Sequence, residues 1–327
     1  MRNRLPLQTR RVLIGATLAL LAQPASALNI LLTNDDGFET PNIQALYQAL
    51  KADGHDVVIA APYVNQSGRS ASLHFFNPVL PTSEDSEHGA VAAGAPGVGT
   101  APDDPDQHYV DGTPATAVLY GIDVVAQARW GQYPDLVISG PNEGNNLGVM
   151  ANHSGTIGAT VTALYRGVPA IAVSGHSSSG RDGSHDKIAA ATMKLIRQLG
   201  NDTPVLPAGL GITLNLPSLA EIDTDELSYA AAQIGVSAQY VPKFVTSLGD
   251  DPLVQGFFGE HAARLVGLPG IALGLQPQLD SLEDTASNAE TGLVAEGIAT
   301  ISTLNVTYSG NRAQTGWVDL KLLGLSQ

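Results

Sequence analysis

A chain of 327 residues with 43% hydrophobic and 14% charged positions can build a large core, which excludes a disordered chain and fits an elaborated α/β domain. A formal charge of −15 repels polyanions and argues against duplex DNA or RNA as a partner, whereas a small phosphate ester held through a cation stays compatible. The absence of cysteine excludes disulfides, thiolate nucleophiles and sulfur-ligated zinc.

The chain opens on a secretory pattern. Arg2, Arg4, Arg10 and Arg11 form a basic stretch, Val12 to Leu21 an apolar one, and Ala25-Ser26-Ala27 a small-x-small cleavage site. A transmembrane anchor needs about 20 apolar residues, and this run is too short. The expectation is cleavage after Ala27, no stable membrane anchor, and a secreted or periplasmic protein that is more acidic still once these arginines are removed. Thr9-Arg10-Arg11-Val12-Leu13-Ile14 also resembles a twin-arginine signal, which implies folding and metal loading before export.

Asn29 to Thr33 reads as a strand buried on both faces, delivering Asn34, Asp35 and Asp36 at its C-terminal end before Gly37 turns the chain. Thr40 is the expected N-cap and Pro41 the first residue of a helix with Ile43, Leu46, Tyr47 and Leu50 on one face and Gly54 as its stop. On local grounds NDDG is equally an ordinary polar turn. Asp56 to Ala61 is a second buried strand, followed by the polar loop Tyr63 to Ser72. Pro81 to Gln107, rich in Gly, Pro and acids and without apolar period, reads as a mobile surface insertion.

Gln107 to Asp111 reads as a strand and Pro114 to Tyr120 as a helix. Asp135 to Ser139 is a further buried strand that feeds the glycine-rich loop Gly140 to Gly148. Ser154-Gly155-Thr156 opens the next helix, where free N–H groups suit a phosphate or Ser154 is simply its N-cap. Pro169 to Ser174 is a strand and Asp186 to Leu199 an amphipathic helix. Strands alternating with helices predict an α/β fold with a doubly wound parallel sheet. The expected organisation is a catalytic core over residues 28–217 and a β-rich C-terminal extension over 218–327, antiparallel and used in oligomerisation, whose order over 218–290 is unreadable.

Asp35, Asp36, Ser67 and Asn142 all follow strand C-termini, and together they form a hard, all-oxygen donor set suited to one Mg²⁺ or Mn²⁺ ion. At this point the sequence resembles the SurE family of 5′/3′-nucleotidases, metal-dependent phosphatases of nucleoside monophosphates. ILLTNDDG, NQSGRS, GTPATAV, DLVISGPNEGNNLG, SGTIGAT and GVPAIAVS carry the resemblance in that order, and GITLNLP and EGIATIST match more loosely.

The resemblance implies a Rossmann-like core and a homo-oligomer. It also implies a metal on Asp35, Asp36, Ser67 and Asn142, the two aspartates being catalytic, and a phosphate pocket lined by Asn146, Ser154, Gly155 and Thr156. Two departures stand out: the family usually carries an acid where Ala115 or Thr116 stands, and a tyrosine often precedes SGT where this chain has His153. His153 is either a proton donor to the leaving group or a packing residue. The rival readings are a broad-specificity acid phosphatase and a non-catalytic exported phosphate-ester or metal-binding protein. The DxD nucleophile motif of haloacid-dehalogenase-type phosphatases is missing after the first strand.

Overall fold

Asn29–Thr33 forms β1, and its successive side chains leave toward opposite faces of a sheet covered by helices on both sides. Ile30 and Leu32 enter one apolar cluster and Leu31 another, which is why the strand reads as an unbroken apolar run. The computed structural model describes residues 27–179, 182–200, 202–276, 283–307, 315–318 and 320. The leader, apart from Ala27, lies outside them.

Helix α1, Pro41–Ala52, follows β1, and β2 is Asp56–Pro62. Thr40 precedes the helix as expected, but its hydroxyl donates to the Gly37 carbonyl instead of capping. Next come β3 (Val98–Ala101), β4 (Asp104–Val110), α2 (Pro114–Tyr120), α3 (Ala126–Trp130) and β5 (Leu136–Asn142). A π-helical stretch, Gly121–Val125, joins α2 to α3. Helix α4 is Gly155–Tyr165, β6 Ala170–Ser174, α5 His185–Leu199 and β7 Leu210–Asn215. Beyond them lie β8 (Tyr229–Ala232), β9 (Tyr240–Val245), α6 (Pro252–Phe258), β10 (Gly270–Leu275), α7 (Glu290–Ala295) and β11 (Ala299–Asn305).

Among the described residues the main sheet has the order β3-β4-β2-β1-β5-β6-β7-β11-β8. Strands β4, β2, β1, β5, β6 and β7 run parallel, giving the doubly wound α/β architecture expected. Helices α1 and α5 pack against each other on one face. Residues of α2 and α4 join the cluster on the other, with Leu31, Val58 and Val137. Because β2 lies to one side of β1 and β5 to the other, the winding reverses between β1 and β5, and a crevice opens at their C-terminal ends.

Two expectations are corrected. Residues 81–107 hold Val98–Ala101 and the start of Asp104–Val110, which make an antiparallel hairpin on the edge of the sheet, and Thr82, Ser86 and Val91 are buried. The loop Ser86 to Ala90 is stitched to the body by Glu39, whose carboxylate accepts the His88 and Ala90 N–H groups at 3.2 and 2.9 Å. The other concerns the C-terminal strands: β11 is antiparallel to β7, but β8 lies parallel to β11, so both extend the main sheet. Strands β9 and β10 form a separate antiparallel ribbon.

Candidate active site

Asp35 and Asp36 leave the end of β1 directly into the crevice, and both are buried. Asn34 builds the turn that aims them: its Nδ2 donates to the Gly37 carbonyl at 2.7 Å and its Oδ1 accepts the Gly37 N–H at 3.2 Å. NDDG is thus a turn, and it also presents two adjacent carboxylates. The Gln66 N–H donates to the Asp35 carbonyl at 2.7 Å, which ties the loop after β2 to the same point.

Asp35 meets the start of α4. The Thr156 hydroxyl donates to Asp35 Oδ1 at 2.7 Å, and the Gly155 and Thr156 backbone N–H groups also draw the carboxylate. A Cβ on Gly155 would lie 2.8 Å from the Asp35 Cβ, so only glycine admits this approach. The structure therefore puts the Asp35 carboxylate at the helix terminus where the sequence suggested a phosphate. Thr156 is fully buried and reaches the cavity through Asp35, while the Ser154 hydroxyl accepts the Ile157 N–H as the N-cap and Ser154 also lines the cavity.

Asp36 Oδ2 accepts the Glu143 N–H at 2.9 Å, and the Asn65 amide lies 3.5 Å from its Oδ1. Burial raises the pKa of both aspartates, and for Asp36 the neighbouring Asp35 charge adds to it. Two carboxylates so close and so little hydrated ionise together only against a counter-charge.

Strand β5 delivers Asn142. Gly140 is at φ +114° and a Cβ there would collide with the Val173 carbonyl, so the strand bulges against β6 beyond Ser139. The Asn142 Nδ2 donates to the Gly144 carbonyl at 2.6 Å, which commits its NH₂ group and leaves its oxygen as acceptor. Asn146 is held by three contacts. Its N–H donates to Asn215 Oδ1 at 3.0 Å, and its Nδ2 donates to Ser174 Oγ at 2.9 Å and Thr156 Oγ1 at 3.2 Å.

A cavity of about 450 Å³ joins these groups: Asp35, Ser67, Asn142, Asn146, His153 and Ser154 all line it. Asp36 and Thr156 stand behind that wall. Among the described residues no group of three or more His, Asp or Glu is placed to hold a metal ion. The opposite wall was not legible in the sequence. Met150, Tyr240, Phe257 and Leu273 line it, with the Tyr240 and Phe257 rings edge-to-face at 6.3 Å. Met150 comes from the short helical turn Gly148–Asn152 after the β5 loop, and Tyr240, Phe257 and Leu273 arrive from β9, α6 and β10, whose sequences show no period tying them to the crevice.

The family model described as "Survival protein SurE" matches residues 30–238, from β1 through the segment after β8. The chain belongs to the SurE family. An acid phosphatase of Yarrowia lipolytica is 38% identical over an alignment of 218 residues, gaps included, that covers 61% of this chain and 59% of that protein. A 5′-nucleotidase SurE of Desulfitobacterium hafniense is 37% identical over 195 residues, covering 59% of this chain and 66% of its own. One of Xanthomonas oryzae is 31% identical over 208 residues, with 64% and 70% covered. The match thus spans somewhat over half of the length of the Yarrowia relative. The crystal structure of the SurE protein from Aquifex aeolicus aligns with a TM-score of 0.62 at 25% identity, over 89% of this chain and 99% of that one.

Proposed function

We propose that this SurE-family chain is a metal-dependent phosphomonoesterase that hydrolyses nucleoside 5′- or 3′-monophosphates to nucleoside and phosphate. One observation carries the reading: a buried pair of carboxylates at the β1–β5 switch point, one of them opening into a cavity whose polar wall faces apolar side chains that include the Tyr240 and Phe257 rings. Relatives named 5′-nucleotidase and acid phosphatase support the same reaction class.

The donor chemistry fits a hard divalent cation, Mg²⁺ or Mn²⁺. Asp35, Asp36, Asn142 and Ser67 would hold it, since two buried carboxylates beside neutral oxygens are a hard, all-oxygen donor set. Bound there, such an ion supplies positive charge to the phosphoryl oxygens and lowers the pKa of an attacking water. The chain's own part is orientation. Thr156 and the first N–H groups of α4 fix the Asp35 carboxylate, one of Asp35 or Asp36 takes the hydrogen bond of the incoming water, the Ser154 hydroxyl offers a donor to the phosphoryl group, and Asn146, whose NH₂ is spent on Ser174 and Thr156, braces the polar wall around it.

The aromatic wall suits a purine or pyrimidine base in the leaving group. A second reading, a broad-specificity acid phosphatase, is favoured by the name of the Yarrowia relative. Hydrolysis of AMP, p-nitrophenyl phosphate and glycerol phosphate with Mn²⁺, Mg²⁺ or EDTA separates the readings. Preference for AMP with loss in EDTA supports the nucleotidase, equal turnover the acid phosphatase, and no turnover an exported binding protein.

The leader pattern supports export, and no described helix is long and apolar enough to cross a membrane. N-terminal sequencing of exported protein is expected to start at Leu28. A homo-oligomer is supported by the β9–β10 ribbon, where Phe244 and Ile271 sit paired and exposed.

A further inference from the structure

Glu290, the first residue of α7, is a carboxylic acid with no exposed surface, far in sequence from every residue assigned to the site. Among the described residues no cation pairs with it. Its Oε1 accepts the Gly148 N–H at 3.2 Å, and its Oε2 accepts the Ser302 hydroxyl at 3.1 Å, with the Asn215 amide 3.5 Å away. Burial pushes its pKa up to about 7, so the group sits there at a cost that apolar packing would avoid.

Those bonds lead to the site. Asn215, which Glu290 faces, accepts the Asn146 N–H at 3.0 Å; Asn146 donates to Thr156 Oγ1 at 3.2 Å; and Thr156 donates to Asp35 at 2.7 Å. Glu290 therefore grips the loop after β5 twice, directly at Gly148 and through Asn215 at Asn146. Gly148 is at φ +52°, and a Cβ there would collide with the Ser237 carbonyl, so the loop is clamped between two C-terminal segments.

We propose that Glu290 is a positioning residue for phosphate: through Gly148, Asn215 and Asn146 it sets the loop that presents Asn142 and Asn146 to the cavity. The inference rests on the phosphatase reading of that cavity. It makes the C-terminal region part of the site even though its carboxylate never touches substrate.

The test compares Glu290→Gln, Glu290→Asp and Ser302→Ala in the full chain. Gln keeps the volume but turns an NH₂ toward an existing donor, Asp keeps the acceptor on a shorter arm, and Ser302→Ala removes a donor to Oε2 while leaving the carboxylate and its bonds to Gly148 and Asn215 in place. With Mn²⁺, Glu290→Gln is expected to lower kcat about tenfold or more, by the same factor for AMP and p-nitrophenyl phosphate. Glu290→Asp recovers part of it, and Ser302→Ala stays within about twofold at a comparable loss of Tm. Calorimetry with inorganic phosphate gives a readout free of turnover: Glu290→Gln weakens binding and Ser302→Ala does not. If wild type hydrolyses neither ester, the phosphatase reading falls and the phosphate titration still decides for or against Glu290. Equal effects of Glu290→Gln and Ser302→Ala, or no phosphate binding by wild type, overturn the proposal.

Discussion

Asp36 stands behind the cavity wall with one carboxylate oxygen on the Glu143 N–H, so Asp36→Asn keeps its shape and removes a charge. Folded Asp36→Asn is expected to need at least about tenfold more Mn²⁺ for half-maximal activity and to turn over poorly even when saturated. Superimposable activity curves against Mn²⁺, with matching circular dichroism, would reduce NDDG to a turn. Thr156→Val probes the neighbouring bond: Asp35 loses its hydroxyl donor, and a buried carboxylate that loses a donor is costly. Activity should fall about tenfold or more while Tm drops by a few degrees. Unchanged kcat in Thr156→Val would mean that the helix N–H groups hold Asp35 unaided.

The hairpin of β3 and β4 covers the edge of the sheet, and Tyr109 on β4 packs against Phe38 beside the β1 turn, with ring centroids 6.1 Å apart. Deleting Val98 to Asp103 is expected to lower Tm by at least about 3 °C, because it uncovers the β4 edge. A calorimetric scan unchanged by the deletion would return the segment to a dispensable loop. On the aromatic wall, Phe257→Ala should lower kcat/KM for AMP severalfold and leave glycerol phosphate unaffected, since only the nucleotide carries a ring to pack there. Equal losses on both substrates would remove the base from that wall. The central strands were legible because burial on both faces spells continuous apolar runs such as ILL and LVI. Val98–Ala101 was not, since its half-exposed edge position leaves no apolar period, and the first residues of β4, Asp104-Pro105-Asp106, carry acids and a proline that a strand tolerates only because they lie beyond the ladder with β2. Asp35, Asp36 and Asn142 could be picked out as strand-end residues. Glu290 and Phe257 could not, since tertiary folding alone brings their segments to the crevice.

At the scale of the whole molecule, two sets of acidic groups among the described residues affect stability in opposite directions with pH. Asp53 beside Arg197 and Asp251 beside Lys243 are held below the usual carboxylate range, so the stability they add is present above about pH 4 and lost as pH falls below it. Asp35, Asp36 and Glu290 are raised by burial, Glu290 to about 7. Between the unfolded value near 4 and these raised values the native state binds more protons than the unfolded one, so stability falls as pH rises through that window. In EDTA, Tm is therefore expected to decline from about pH 5 to about pH 7.5. A divalent cation competes with protons for Asp35 and Asp36 but not for Glu290, so its stabilising effect should grow as those protons leave. The measurement is Tm with and without Mn²⁺ at both ends of the window, and the Mn²⁺ increment should be larger at the upper end. An increment that is absent, or equal at both ends, would place the cation away from the two aspartates and leave their burial without a counter-charge.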